Sequence, residues 1–117
     1  GRDWDDEGVG ERIADLCRRA EIRTAEFFVF TPFPGTPQFR RMSSQGRLLH
    51  RDWSYYNGAN VVFRPQQMSP ERLTEIYFWL WGEVYRDQID DAILRKLGKE
   101  TSESPHPDAG KRTDGPE

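Results

Sequence analysis

Few residues of this sequence are of a type and spacing that could do chemistry. Asp3, Asp5, Asp6 and Glu7 place four carboxylates within five positions, a set able to hold a hard cation. Their spacing lacks the calcium-loop pattern and no distal bidentate Glu follows, so capping of the next helix accounts for them better. His50 and His106 stand far apart, and with the single Cys17 they do not make a metal-ligand spacing. No nucleophile sits beside a base, and no glycine-rich loop offers to cradle a phosphate. Cys17 falls on the apolar stripe of a helix, where a buried, inert thiol is expected. Trp53, Tyr55 and Tyr56 could stack on a ligand, although packing beneath a long loop is the better account of them.

The stretch Thr31-Pro32-Phe33-Pro34-Gly35-Thr36-Pro37 is different. Its three prolines remove three backbone donors and fix φ at each, which makes a stiff loop. Ahead of it, residues 24–31 are mostly β-branched and aromatic, and from Phe27 to Phe30 both side-chain parities are apolar. Continuous apolar strands of this kind belong to parallel sheets covered on both faces. A stiff loop at the carboxyl end of such a strand lies where α/β barrels bind substrates and cofactors.

The elements that must position this loop follow from periodicity. Val9, Ile13, Leu16, Cys17 and Ala20 form one apolar stripe, which predicts a helix over 6–20 capped by Asp5 or Asp6. Gly8 and Gly10 weaken its first turn. A helix leading directly into an apolar strand is part of a repeat whose other strands are missing. After the loop, Thr36 is placed to cap a short helix with Pro37 at its first position, Phe39 and Met42 inward, and Gly46 as its stop. Residues 50–60 read as irregular and aromatic, with Asn57-Gly58 as a turn, and 60–63 as a short extended piece. Ser69-Pro70-Glu71 marks a helix start. Leu73, Ile76, Tyr77, Leu80 and Val84 make its stripe, continued by Ile89, Ile93 and Leu97, with a break or kink expected at Gly82 or over 86–91. Phe78, Trp79, Trp81 and Tyr85 widen its apolar face, so this helix needs more protein to pack against than the chain supplies.

At 117 residues and 13.7 kDa the sequence allows one domain. It is 13% aromatic yet only 35% hydrophobic, with a mean hydropathy of -0.88, because its apolar residues are segregated. Residues 99–117 contain no large apolar side chain and are expected to form a disordered tail. The net charge of -3 is spread in mixed signs, with no basic block to mark a nucleic-acid footprint. No apolar run approaches the roughly 20 residues of a membrane span, and no signal-peptide pattern is present. One cysteine is consistent with a reducing, cytoplasmic setting. The sequence opens at Gly1-Arg2-Asp3 without an initiator Met and reads as the end of a longer protein.

Phe30 to Pro37, followed by Phe39, resembles the last-strand motif T-P-[YF]-P-G-T-P of radical SAM enzymes, in the large group that commonly carries a cobalamin-binding domain. The likeness continues through Gly46-Arg47-Leu48, the run from Arg51 to Tyr56, Val61 to Pro65, and Met68 to Glu71. Gly1-Arg2-Asp3 resembles the G-F-D that ends the preceding strand, with Arg2 in place of the aromatic. Gly10 also departs, standing where a larger apolar residue is common. The resemblance implies an α/β fragment, the last helix–strand unit of a partial (β/α)6 barrel, over residues 1–46. It implies a C-terminal loop and helical extension over 47–98. It further implies S-adenosylmethionine and a [4Fe-4S] cluster in a parent protein, with cobalamin in part of the group, and the remaining N-terminal barrel as the partner of this segment. The family's C-x-x-x-C-x-x-C is not in this chain, so the fragment alone is expected to bind none of these cofactors and to be inactive. Phe30, Thr31 and Pro32 are the positions that the resemblance places beside S-adenosylmethionine. The other reading is a stand-alone accessory or interaction module, built from a barrel end and using Phe28, Trp79 and Trp81 to bind a partner. The substrate stays open among lipid, tetrapyrrole, antibiotic and nucleobase.

Overall fold

The computed structural model describes residues 1–102, in two units, Gly1–Arg86 and the part of Asp87–Glu117 that lies within those bounds. The element order is α1 (Val9–Arg19), α2 (Pro37–Ser44), a 3-10 turn (Trp53–Tyr55) and α3 (Pro70–Ser102).

Helix α1 starts three residues later than its apolar stripe predicts. Gly8 is the N-cap and contributes no side-chain bond, while Asp6 Oδ1 accepts from the Gly8 amide at 2.9 Å, one step ahead of the helix. Its buried seam is Gly10, Ala14 and Cys17, whereas Leu16 is 54% exposed despite lying on the predicted stripe. The reason is proximity: a Cβ on Gly10 would stand 2.7 Å from Ile76 Cγ2 and 3.4 Å from the Trp79 ring, so α1 and the first turns of α3 approach where only small residues fit. What reads in sequence as a weak first turn is a close helix contact.

Helices α1 and α2 end in the same hydrogen-bond pattern. In α2, Arg47 N donates to Met42 O at 2.9 Å and Gly46 N to Ser43 O at 3.1 Å, with Gly46 at φ 65°. In α1, Ile22 N donates to Cys17 O at 2.9 Å and Glu21 N to Arg18 O at 3.2 Å, but the left-handed position is held by Glu21 at φ 53°. At the start of α2, Thr36 Oγ1 accepts from Phe39 N at 3.2 Å, the cap that its place before Pro37 predicts. Helix α3 begins with Ser69 Oγ accepting from Arg72 N at 3.0 Å. It continues unbroken through Gly82 to Ser102, so no break occurs at Gly82 or over 86–91. The tail expected over 99–117 lies outside the described residues from 103 onward.

The core consists of Val29, Met42, Phe63 and Leu73, with Phe30, Leu48, Val61, Met68 and Tyr77 packed against it. Phe63 and Val62 are 0% exposed. They belong to the short extended piece, tied by Leu49 N to Val62 O at 2.9 Å, Arg64 N to Arg47 O at 2.8 Å and a single antiparallel bridge, Leu48–Phe63.

Residues 25–31 form no β-ladder among the described residues. Val29 N donates to Gly58 O at 2.7 Å, and the Tyr85 hydroxyl both accepts from Ala25 N at 2.9 Å and donates to Ala25 O. Phe27 packs edge-on against Trp81 at 5.1 Å, and Trp81 stacks on Tyr85 at 5.6 Å. The expectation that both faces of this segment are covered does not hold within the chain. Phe28 is 71% exposed, with the turn at Gly58 against one side of its ring.

In the second unit the helix continues from Asp87 to Ser102, with Ile89, Ile93 and Leu94 exposed. No helix among the described residues is long and apolar enough to cross a membrane.

Candidate functional site

The loop that the sequence singles out is locked by its own bonds. Thr31 Oγ1 donates to Val29 O at 3.1 Å, Thr36 Oγ1 donates to Phe33 O at 2.7 Å, and Gly35 takes φ 86°. A side chain at Gly35 would meet no atom within 4 Å, so the positive φ alone calls for glycine there.

The three positions carried by the resemblance separate in space. Pro32 is below 2% exposed and turned into the protein. Thr31 is half-buried, with its hydroxyl bonded to the preceding backbone. Phe30 is half-buried and packs edge-on against Phe63 at 5.7 Å. Phe30 lines two cavities.

The first is a groove of about 410 Å³ along residues 26–30, walled by Val9, Ile13, Leu73, Ile76 and Leu80, with Gly1 and Arg2 on its rim. The second, of about 500 Å³, lies at the end of the segment and is lined by Arg2, Asp3, Trp4, Phe30, Gln38, Arg41 and Met42. Asp3 joins its cations: Oδ2 accepts from Arg41 Nη2 and Oδ1 from Arg47 Nη2, both at 2.9 Å. Arg47 is also held by Arg64 O at 2.9 Å from its Nε, and Asp3 O accepts from Gln67 Nε2 at 2.9 Å. The Arg2 guanidinium stands 5.3 Å from the centre of the Trp4 ring. Asp3 therefore orients guanidiniums and does not cap the helix.

The other carboxylates of the acidic run are each engaged. Asp5 Oδ2 accepts from the terminal nitrogen of Gly1 and the amide of Arg2, both at 2.8 Å, Asp6 pairs with Arg12 at 2.9 Å, and Glu7 pairs with Arg72 at 3.1 Å. Among the described residues no group of three His, Cys, Asp or Glu is placed to hold a metal ion. The single thiol, Cys17, is buried, whereas an iron–sulfur cluster needs several thiolates. The residues of this chain do not fit such a cluster.

Trp53, Tyr55, Tyr56 and His50 form an aromatic group against Phe39, with Trp53 6.0 Å from Phe39 and 5.1 Å from Tyr56. Tyr56 is buried, which raises its phenol above the ordinary value, and its hydroxyl donates to His50 O at 2.6 Å. That bond closes the irregular loop, and packing beneath it holds for Tyr56 alone, since Trp53 and Tyr55 are exposed.

Sequence reasoning missed Trp4, Gln38 and Arg41 as cavity residues. The available signal was the likeness of residues 1–3 to the end of a strand preceding 25–31, because the ends of neighbouring strands share one rim.

Compared with curated proteins, the chain is 33% identical over 97 residues to the bacteriochlorophyllide d C-12(1)-methyltransferase of Chlorobaculum tepidum, a match that covers 83% of this chain and 20% of that protein. It is 22% identical over 77 residues to the bacteriochlorophyllide d C-8(2)-methyltransferase of the same organism, covering 59% of this chain and 17% of that protein. Both relatives are methyltransferases. The chain spans about a fifth of their length. No family model matches it, and no solved structure matches it.

Proposed function

We propose that this chain is the end of a partial (β/α)6 barrel in a radical SAM methyltransferase acting on a bacteriochlorophyllide-type tetrapyrrole. The observation that carries the reading is the 33% identity over 97 residues to a bacteriochlorophyllide d methyltransferase. The last-strand motif over 30–37 supports the radical SAM part. In this reading residues 25–31 are a parallel strand whose neighbour runs into Gly1. Several features support that: an apolar segment without a ladder, a groove of about 410 Å³ along it, and Gly1 and Arg2 on the rim of that groove. A strand ending at Asp3, then α1, then residues 25–31 would be one right-handed crossover unit. Phe30 and the loop from Thr31 would border S-adenosylmethionine, and the cluster thiolates and any cobalamin would belong to the remainder of the protein.

The test is anaerobic assay of the full-length protein carrying this segment, after reconstitution with iron and sulfide. With S-adenosylmethionine, a reductant and bacteriochlorophyllide d, the reading expects 5′-deoxyadenosine and a singly methylated pigment by mass spectrometry. Methylation without any dependence on iron and sulfide would overturn the radical part. Formation of 5′-deoxyadenosine with no change in any bacteriochlorophyllide would overturn the substrate.

A further inference from the structure

We infer that the cavity of about 500 Å³ at the end of residues 25–31 holds the carboxylate-bearing edge of a flat, apolar substrate, with Arg2 and Arg41 binding the carboxylate and Trp4 lying along the ring system. The inference rests on the tetrapyrrole reading above and assigns it residues. Charge is its first ground. The protein as a whole is acidic, yet two guanidiniums, Arg2 and Arg41, line this cavity with one carboxylate, Asp3, and that carboxylate is also paired with Arg47 outside the lining. Asp3 is already shared between Arg41 and Arg47, both at 2.9 Å, and Arg2 has no carboxylate within 4 Å among the described residues. Asp5 lines the neighbouring groove, where its Oδ2 accepts from the terminal nitrogen of Gly1 and the amide of Arg2, and it attracts the Arg2 charge without a direct ion pair. The cavity wall is therefore left with positive charge that an anionic ligand would neutralise, and a guanidinium fork matches a carboxylate in geometry as well as charge.

Shape is the second ground. Trp4 is 69% exposed beside Arg2, and Phe30 and Met42 form the floor. An exposed indole, a half-buried phenyl ring and a thioether offer contact area to a planar apolar body, while Gln38 adds one polar group. A bacteriochlorophyllide combines the two features, since it is a flat macrocycle with a free carboxylate. Arg47 is 12% exposed and bonded on two sides, so it positions Asp3 and leaves ligand contact to Arg2 and Arg41.

The test uses the full-length protein and two probes, pyropheophorbide a and its methyl ester, followed by polarisation of the pigment's own fluorescence. The acid is expected to bind about tenfold more tightly than the ester, as one charge-assisted pair at a half-open site allows. Arg2→Gln should remove most of the acid's advantage, the rest being held by Arg41, and leave the ester unchanged, which also shows that the variant is folded. Arg2→Lys should restore most of the difference, and Trp4→Ala should weaken both probes. Equal binding of acid and ester by the unaltered protein, or equal loss of both in Arg2→Gln, overturns the assignment and leaves the enzyme reading standing. Failure of both pigments to bind overturns the tetrapyrrole reading and this inference together.

Discussion

Residues 42–63 and residues 22–30 belong to one unit, yet they are finished to different degrees. The first region closes on itself: Val62 and Phe63 are fully buried, and Leu49 and Arg64 donate across to Val62 and Arg47. The second has the more continuous apolar run, but Phe28 stands in the open, and a single backbone bond, Val29 to Gly58, ties its middle to the rest. Ala25 is held by a side chain, the Tyr85 hydroxyl. The contrast teaches that apolar composition sets the demand for neighbours, and only chain that is present can meet it. An apolar strand with unpaired edges is also a template for association.

The largest effects should fall on the finished region. Phe63→Ala removes a fully buried ring and should cost about 3–5 kcal/mol, read from the denaturant midpoint. Phe28→Ala should cost no more than about 0.5 kcal/mol in this chain, as for an exposed site. In the full-length protein the same change should cost about 3 kcal/mol, because a neighbouring strand and its covering helix would bury the ring. Equal losses in both settings would break the comparison.

The unevenness explains what was legible in the sequence. Helices α2 and α3 were readable because Thr36-Pro37, Gly46 and Ser69-Pro70 punctuate them locally, and local bonds carried those signals out. The start of α1 was misread because Asp6 bonds the amide ahead of the helix, and the misplaced stripe came from Leu16, which the seam of Gly10, Ala14 and Cys17 turns outward. Small residues give no hydrophobic signal, so a close helix approach cannot be seen until its partner, Ile76, is in place. The cavity around Trp4 and Arg41 was illegible for a similar reason, since it joins residues far apart in the chain. Phe30 was legible, but only through the motif that follows it.

Gly10→Ala tests the close approach. Its Cβ would fall 2.7 Å from Ile76 Cγ2, and the resulting shift should cost about 1–2 kcal/mol net of the gain in helix propensity. In an Ile76→Leu background, which lacks that methyl, Gly10→Ala should cost less, as read in a double-variant cycle.

The matched helix ends give a smaller and opposite effect. Glu21→Gly should raise stability by about 0.5–1 kcal/mol, because the left-handed φ of 53° strains any side chain. Gly46→Ala should lower it by a similar amount, about 1 kcal/mol, at φ 65°. Thermal melts of the two variants should move apart, and a shift in the same direction would show that the two ends are not equivalent.

The smallest effect is electrostatic. A hydrogen bond from Arg12, with another from the Gly8 amide, holds the Asp6 carboxyl below its ordinary value of 3.8. A carboxyl depressed in the folded state adds stability that is present above its unfolded value and is lost as pH falls through the folded one. Asp6→Asn should therefore flatten the acid limb of the stability curve below about pH 4 and change little near neutrality. A variant curve parallel to the parent down to acid pH would show that the pair contributes nothing.

The central claim is that residues 25–31 are a strand awaiting its neighbour, and backbone amide exchange at Phe27, Phe28 and Phe30 tests it most directly. In this chain alone those amides have no backbone acceptor among the described residues and should exchange rapidly, while Leu49 and Arg64, bonded to Val62 and Arg47, should exchange slowly. If a parallel neighbour in the full-length protein bonds alternate residues of this segment, slowing should appear at Phe28 and Phe30, on the edge opposite the Val29 bond to Gly58, and reach at least the level of Leu49. Equal, rapid exchange at all three positions in both proteins would contradict the account.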